Sequence, residues 1–160
     1  MRLASAETAA LFVHDVLSRT GAVWVHEASD SMAPLVRAGD RLSLARAAFA
    51  AVRPGQLVAC RRDGQLVVHR VLWRDAAALV TKGDGLARRD PPIAASDLVG
   101  RVTVIVTAQG RRIDLDAFPW PMLGRLLALV SRATEWTRSP GGVAWKLTRL
   151  PAHLAAWWAR

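Results

Sequence analysis

The sequence predicts a mainly β domain, preceded by one helix and followed by amphipathic helices. Between about residues 40 and 107, short runs rich in β-branched residues alternate with turn-forming residues, as in consecutive strands and hairpins. The strongest turn is Asp63-Gly64, because both residue types tolerate the positive φ angles of a two-residue hairpin. At both ends of the chain the apolar residues instead recur with a helical period.

The predicted elements divide the chain into three parts. Residues 1–21 form an N-terminal helix, 22–116 the β-domain and 117–160 a basic, Trp-rich helical tail. The helix covers 6–19, where Ala9, Val13 and Val16 recur at helical spacing, and Gly21 ends it. We expect strands at 23–25, 41–45, 56–61, 65–73, 77–82, 98–107 and 111–115, forming coiled, partly antiparallel sheets, with a loop at 83–92.

The tail begins where the chain's pattern changes at Pro119. One helical side carries Leu123, Leu126, Leu127 and Val130, with Arg125 and Arg132 opposite. Residues 139–142 break this helix, and a second helical stretch covers 143–160. Five of the seven Trp residues lie within 120–158. Such a tail fits an anionic membrane surface or a groove on a partner protein. The alternative is that both helices simply pack on the β-domain.

Composition limits the classes of partner. The 160 residues carry a formal charge of +9 and the pI is about 11.5. This balance favours an acidic partner such as an anionic membrane, nucleic acid or an acidic protein. A coding bias towards Arg and Ala explains the charge equally well. Nucleic acid is disfavoured, because we find no helix-turn-helix pattern and no aromatic cluster on a β face.

The cysteine content and the apolar segments bear on location. Cys60 is the only cysteine, so no disulfide forms within the chain, which fits a reducing compartment. The N-terminal residues lack the apolar core of a signal peptide, and no stretch is apolar enough to span a bilayer. We therefore expect a cytoplasmic protein, either free or peripherally bound at the inner membrane surface.

Three residue types suggest a catalytic site. Ser31 begins a Ser-Met-x-Pro stretch, and His69 follows within a β-branched run. Asp84, in Thr81-Lys82-Gly83-Asp84, supplies a carboxylate. A serine hydroxyl becomes a nucleophile when a neighbouring base takes its proton, and a carboxylate can orient an imidazole base. Together they suggest a serine peptidase. The histidines show no metal-ligand spacing and Cys60 stands alone, so no metal or other cofactor is predicted.

Five short motifs in order carry a resemblance to a known family. They are Ser31-Met32-Ala33-Pro34 with Gly39-Asp40, Gly55-Gln56-Leu57-Val58, His69-Arg70-Val71, Thr81-Lys82-Gly83-Asp84 and Leu98-Val99-Gly100-Arg101-Val102. On these motifs, residues 29–107 resemble the catalytic domain of the signal peptidase I family and its LexA-like autopeptidase relatives. Most bacterial members have Lys at the base position. His69 resembles the endoplasmic-reticulum and archaeal branch, which has His.

The resemblance implies roles for individual residues. Ser31 would be the nucleophile and His69 the general base. Asp84 is the first choice to orient His69 and Asp90 the second. The Ser31 backbone N–H and the Ser29 hydroxyl would stabilise the oxyanion. The remaining motif residues would be structural, namely Met32, Pro34, Gly39, Asp40, Arg70, Lys82 and Gly83. The chain departs from the family pattern at Gly85-Leu86, where an Asn usually follows Lys-Gly-Asp.

The implied function is a serine endopeptidase that cleaves extended leader or signal-like peptides with small residues beside the cut. No stretch of the sequence resembles the family's transmembrane anchor, so we expect the substrate to be a cytoplasmic or membrane-surface peptide. One alternative is an inactive peptide-binding adaptor of the same fold. Another is a LexA-like self-cleaving regulator, which the histidine base and the lack of a DNA-binding domain disfavour.

Overall fold

The computed structural model of the protein describes residues 6–134. These residues form two α-helices, two short 3₁₀-helices (Phe49–Ala51 and Ala95–Asp97) and eight strands. The helices are α1 (Ala6–Thr20) and α2 (Trp120–Thr134). The strands are β1 (Ala22–His26), β2 (Arg41–Ala45), β3 (Leu57–Arg62), β4 (Gln65–Arg74), β5 (Ala78–Lys82), β6 (Ile93–Ala94), β7 (Leu98–Val106) and β8 (Arg112–Asp114). The second predicted tail helix, 143–160, lies outside the described residues.

All eight strands belong to one antiparallel sheet. Its order is β1-β2-β7-β3-β4-β5-β6, and β8 pairs with the second half of β7. Every strand pairing within residues 6–134 is antiparallel, whereas the prediction was a partly antiparallel arrangement. The seven predicted strands are present to within one residue at each end. The two-residue β6 was not predicted, because so short a strand has no period of its own.

The predicted hairpin joins β3 to β4. Asp63 and Gly64 have φ angles of 48° and 75°, and Arg62 pairs with Gln65 across the turn. Two successive positive φ angles match the twist of the flanking strands, which is why Asp-Gly is favoured there. The turn therefore fixes the register that places His69 opposite Val58.

Two apolar clusters cover the two sides of the sheet, and β3 contributes to both. Leu57 and Ala59 belong to the larger cluster, whereas Val58 and Cys60 belong to the smaller one. Successive residues of a strand point to opposite sides, so all four are buried and β3 reads as a continuous apolar run. Directly paired residues share a side, so His69 lies on the side of the smaller cluster.

Both helices pack on the sheet through glycine contacts. Leu17 of α1 touches Gly100 so closely that a Cβ there would lie 2.7 Å from the leucine Cδ2. In α2, Gly124 meets Gly55 backbone to backbone, since a Cβ on Gly124 would lie 2.6 Å from the Gly55 carbonyl oxygen. No other residue type allows two backbones to approach this closely.

The outer side of α2 differs from the prediction. Leu127 is buried as expected, but Leu126 is 45% exposed, and Met122 and Leu129 beside it are more exposed still. The buried side is instead completed by Trp120, Gly124 and Ala128. The close contact at Gly124 turns the helix so that Leu126 points away from the sheet. None of the helices in the described residues is long and apolar enough to cross a membrane.

We predict that Gly55→Ala will weaken the packing of α2 on the sheet and destabilise the protein more than Gly110→Ala does. Both glycines have similar positive φ angles, 93° and 87°, so both substitutions carry the same backbone strain. Only at Gly55 would the new Cβ meet other atoms, at 2.5 Å from the Arg125 nitrogen, while nothing lies within 4 Å at Gly110. Such overpacking costs about 1–3 kcal/mol. Urea unfolding should therefore show Gly55→Ala less stable than Gly110→Ala by that amount; equal stabilities would contradict the contact.

Candidate active site

A serine, a histidine and an aspartate form a continuous chain of contacts. The Ser31 Oγ lies 3.2 Å from the His69 Nε2, and the His69 Nδ1 lies 2.5 Å from the Asp90 Oδ2. His69 is 6% exposed and Asp90 8%, while Ser31 is half-buried and accessible. The three groups are brought together from different parts of the chain. Ser31 lies in a turn after β1, His69 on β4 and Asp90 at the end of the loop between β5 and β6.

Asp90 is held by two further side chains. The Thr81 hydroxyl donates to its Oδ2 at 2.6 Å, and an Arg62 Nη1 lies 2.7 Å from its Oδ1. Burial alone would raise the pKa of the Asp90 carboxyl, but the hydrogen bonds from His69 and Thr81, the charge of His69 and the Arg62 hydrogen bond outweigh it. The pKa is therefore held below its usual range. The carboxyl is an anion at neutral pH, ready to accept the His69 Nδ1–H.

Asp84, the first choice to orient His69, is placed elsewhere. Its two carboxylate oxygens bind the Nε and Nη2 atoms of Arg70 at 2.8 and 2.6 Å, and both side chains are almost fully buried. Arg70 follows His69 in β4 and points to the opposite side of the sheet. A carboxylate in a two-pronged bond to a guanidinium on that side has no contact with the imidazole. The acid that contacts His69 is the second choice, Asp90.

Arg70 also connects the site to α2. Its third donor, Nη1, binds the Gly55 carbonyl at 2.7 Å, and Gly55 is the residue that touches Gly124. One guanidinium thus joins the β5–β6 loop to the point where the helix meets the sheet. Because its three contacts are buried, none is weakened by solvent.

Two glycines of the β5–β6 loop lie in close contact with the backbone around Ser31. A Cβ on Gly83 would lie 2.6 Å from the Ser31 carbonyl oxygen and 3.0 Å from the His69 Nε2. The Gly85 N–H donates to that same carbonyl at 2.8 Å, and a Cβ there would lie 3.0 Å from the Asp30 carbonyl oxygen. The departure from the family pattern at Gly85 therefore suits a close backbone approach to Ser31.

The Ser29 hydroxyl lies beside Ser31, as predicted for an oxyanion donor. Its Oγ is 3.2 Å from the Ser31 Oγ and 3.4 Å from the Ser31 nitrogen. However, the same hydroxyl lies 2.9 Å from the Glu27 Oε1, which also accepts the Ser29 N–H. A hydroxyl has one proton. While that proton is given to Glu27, Ser29 can accept from Ser31 but cannot donate to an oxyanion.

The remaining predicted residues surround the serine turn. Asp40 is buried and accepts the backbone N–H groups of Arg37 and Ala108, both at 2.9 Å, so it fastens the turn to the end of β7. Gly39 before it has a φ of 90°. Met32 and Pro34 are buried, the Ala33–Pro34 peptide is cis, and the Met32 sulfur accepts the Asp84 N–H at 3.4 Å.

Lys82 is buried but lies on the other side of the sheet from His69. It pairs directly with Arg70 in the register of β4 and β5, and paired residues share a side. The basic side chain in contact with Ser31 is therefore the imidazole of His69 and not this ammonium.

Three functional candidates were missed in the sequence. Thr81 stands in the Lys-Gly-Asp motif and shares a side with His69, so its position was available. Arg62 lies on the same side of β3 as Val58, the residue opposite His69, and that relation follows once the Asp63-Gly64 turn fixes the register. Glu27 gave no signal, because its contact depends on the path of the chain between β1 and the serine turn.

The arrangement can support acyl transfer. Neutral His69 can accept the Ser31 proton at Nε2 while its Nδ1–H stays bound to an anionic acid. In residues 6–134, no cluster of three or more His, Cys, Asp or Glu side chains could hold a metal ion. Neither the scan against protein-family models nor the search of curated proteins finds a match to this chain.

We predict that Asp84→Ala will destabilise the protein much more than Asp116→Ala. Both aspartates make two contacts with an arginine, but the Asp84–Arg70 pair is buried, whereas the Asp116 side chain is 53% exposed in its pair with Arg101. Removing one partner of a buried pair costs about 3–5 kcal/mol, and an exposed pair contributes about 0–1 kcal/mol. Denaturant unfolding of both variants measures the difference; similar losses would show that burial of the Arg70 pair has no consequence.

We predict that the stabilising effect of the Asp90 carboxylate will disappear in acid. Its pKa is lower in the folded protein than in the unfolded chain. The charge therefore stabilises the fold above the unfolded value of about 4, and this contribution is lost as the pH falls through the folded value. The difference in unfolding free energy between wild type and Asp90→Asn should be constant near neutral pH and shrink below pH of about 4. A difference that grows on acidification would have the wrong sign.

Proposed function

We propose that the protein is a serine endopeptidase that acts through Ser31, His69 and Asp90. The observation that carries the proposal is the unbroken contact chain from the Ser31 Oγ through both nitrogens of His69 to the Asp90 carboxylate. Three polar groups from separate elements meet in the order that nucleophilic catalysis requires. The nucleophile is the most accessible of the three, so a substrate can approach it.

In the proposed first step, the Ser31 Oγ attacks the scissile carbonyl carbon while the His69 Nε2 takes the hydroxyl proton. A C–O bond forms, and the carbonyl oxygen becomes an oxyanion. The imidazole becomes positively charged, and the anionic Asp90 next to its Nδ1 stabilises that charge. Asp90 also fixes the tautomer, since the nitrogen that faces it must carry a proton for Nε2 to act as the base.

In the second step, the His69 Nε2–H protonates the leaving amine and the C–N bond breaks, which leaves an ester on Ser31. Water then attacks the ester with His69 again as the base, and the second product leaves as an acid. The Ser31 N–H and the Ser29 hydroxyl would donate to the oxyanion. For Ser29 this requires its proton to turn from Glu27 towards the substrate, which the greater charge on a developing oxyanion favours.

The resemblance to the signal peptidase family suggests the fold family and the substrate. The antiparallel sheet, the histidine at the base position and the ordered motifs support a fold of that kind, in its Ser/His branch. The substrate would be an extended leader or signal-like peptide with small residues at the cleavage site. Gly83 and Gly85 approach Ser31 so closely that neither position has room for a side chain, which keeps this loop beside the nucleophile.

Contact with an anionic membrane or a partner protein through residues 120–160 stays a prediction. The outer side of α2 supports it. Met122, Leu126 and Leu129 form an exposed apolar row there, with Arg125 and Arg132 exposed beside it. Apolar and cationic side chains on one surface suit a peripheral site at an anionic membrane.

The proposal predicts that a small serine-reactive phosphonate will label Ser31 in the purified protein. Intact mass and peptide mapping would locate the label. Ser31→Ala should abolish labelling, and His69→Ala should slow it strongly, because the hydroxyl loses its base. Asp90→Asn should reduce the rate by about 10³- to 10⁴-fold. The matched change Asp84→Asn should reduce the rate of the folded protein far less, because Asp84 has no contact with the imidazole.

Two results would oppose the proposal. Labelling that persists in Ser31→Ala would place the reactive hydroxyl elsewhere. No labelling of a folded protein, together with peptide binding that Ser31→Ala leaves unchanged, would support the inactive binding module instead.

A further inference from the structure

We propose that Arg62 is a positioning residue for the proposed reaction: it fixes the Asp90 carboxylate in the orientation that holds His69, and it places a positive charge beside that pair. This inference rests on the proposed function, because it concerns the same site. Arg62 belongs to none of the motifs that the family resemblance uses.

The geometry gives each Asp90 oxygen a separate task. The Oδ1 meets the Arg62 Nη1 at 2.7 Å, while the Oδ2 receives the Thr81 hydroxyl and faces the His69 Nδ1. A carboxylate held at one oxygen only could rotate about its bond to the chain. Held at both, it presents the Oδ2 to the imidazole in one orientation, which is what an orienting acid must do.

Arg62 also fastens the loop that brings Asp90 to the site. Its Nη2 donates to the Pro91 carbonyl at 3.3 Å, and the Asp90 N–H donates to the Thr81 carbonyl at 2.8 Å. The end of the β5–β6 loop is thus bound to β3 on one side and to β5 on the other. The side chain of Arg62 is 23% exposed, so its position is fixed mainly by these contacts.

The charge of Arg62 acts on His69 through Asp90. The other titratable or charged groups on the elements around His69 are Cys60 and Arg61 on β3, Arg70 and Arg74 on β4, Lys82 on β5, Asp84, Arg88, Arg89 and Asp90 in the loop, and Glu27 and Asp30 before Ser31. Asp84 is paired with Arg70. Among the described contacts, Arg62 is the cation bound to the same carboxylate as His69. A cation there disfavours a second positive charge on the imidazole, so removing the Arg62 charge should make the imidazolium easier to form.

The test is the rate of Ser31 labelling by the phosphonate as a function of pH in wild type, Arg62→Gln and Arg62→Lys. Without the cation, the imidazolium is stabilised, so the acid limb of the Arg62→Gln profile should move up by about 1 pH unit. Its plateau rate should fall several-fold, because the carboxylate loses one anchor. Arg62→Lys keeps the charge, so its acid limb should stay where the wild-type limb lies while its plateau falls.

Arg61→Gln is the matched control. Arg61 precedes Arg62 on β3, points to the other side of the sheet and pairs with Asp97 at 3.2 Å. The substitution removes the same charge from the same strand without touching Asp90, so neither the limb nor the plateau should change. Arg62→Met, which retains the apolar stem, is a second neutral variant and should shift the acid limb as Arg62→Gln does.

The outcomes separate this inference from the proposed function. A lower plateau with an unmoved acid limb in both neutral variants would overturn it and leave Arg62 with a structural role only. If wild-type Ser31 is not labelled at all, the result counts against the proposed function and not against this inference. The midpoint of the His69 imidazole titration, followed by NMR in the same variants, then decides the inference. A midpoint that rises in Arg62→Gln and not in Arg61→Gln supports it, and equal midpoints overturn it.

Discussion

The buried guanidinium of Arg70 is the interaction on which most of the structure around Ser31 depends. It binds both carboxylate oxygens of Asp84 and the carbonyl of Gly55. It therefore connects the β5–β6 loop to Gly55, which precedes β3 and contacts α2. The loop in turn supports the serine turn through Gly83 and Gly85. A charge removed from water at this position needs compensation; the Asp84 carboxylate supplies the opposite charge, and each of the three guanidinium nitrogens donates a hydrogen bond. The geometry at Ser31 is therefore set partly from the opposite side of the sheet.

Successive residues of a β-strand point to opposite sides of the sheet, so the dipeptide His69-Arg70 contributes one side chain to each side. His69 points to the smaller apolar cluster, where Asp90 and Thr81 lie, and Arg70 points to the side of α2. Two titratable groups with different tasks are thereby separated by the thickness of the sheet. The same alternation assigns the two aspartates of the loop: Asp84 leaves β5 near Arg70, whereas Asp90 returns near His69. The two carboxylates have different partners because the two ends of the loop lie on opposite sides of the sheet.

Much of the fold follows from the sequence because its determinants are local. Asp63-Gly64 sets a hairpin by backbone preference alone, and β-branched runs with turn residues between them specify the strands. The choice between Asp84 and Asp90 is not local. Both lie in one loop, and the outcome depends on a competition between a guanidinium and an imidazole on opposite sides of β4. The contact of Glu27 with Ser29 and the exposure of Leu126 likewise depend on how separate segments pack, which no spacing along the chain reveals.

Cys60 has a consequence of a different kind. It lies on the same side of β3 as Val58, and burial, the largest cause, raises the pKa of its thiol to about 12. At neutral pH a buried, protonated thiol reacts with neither alkylating reagents nor disulfides. The folded protein therefore behaves towards such reagents as though it had no cysteine. A thiol introduced anywhere on its surface would be its single chemical handle, for a fluorophore, a spin label or a crosslinker, and the native sulfur need not be removed.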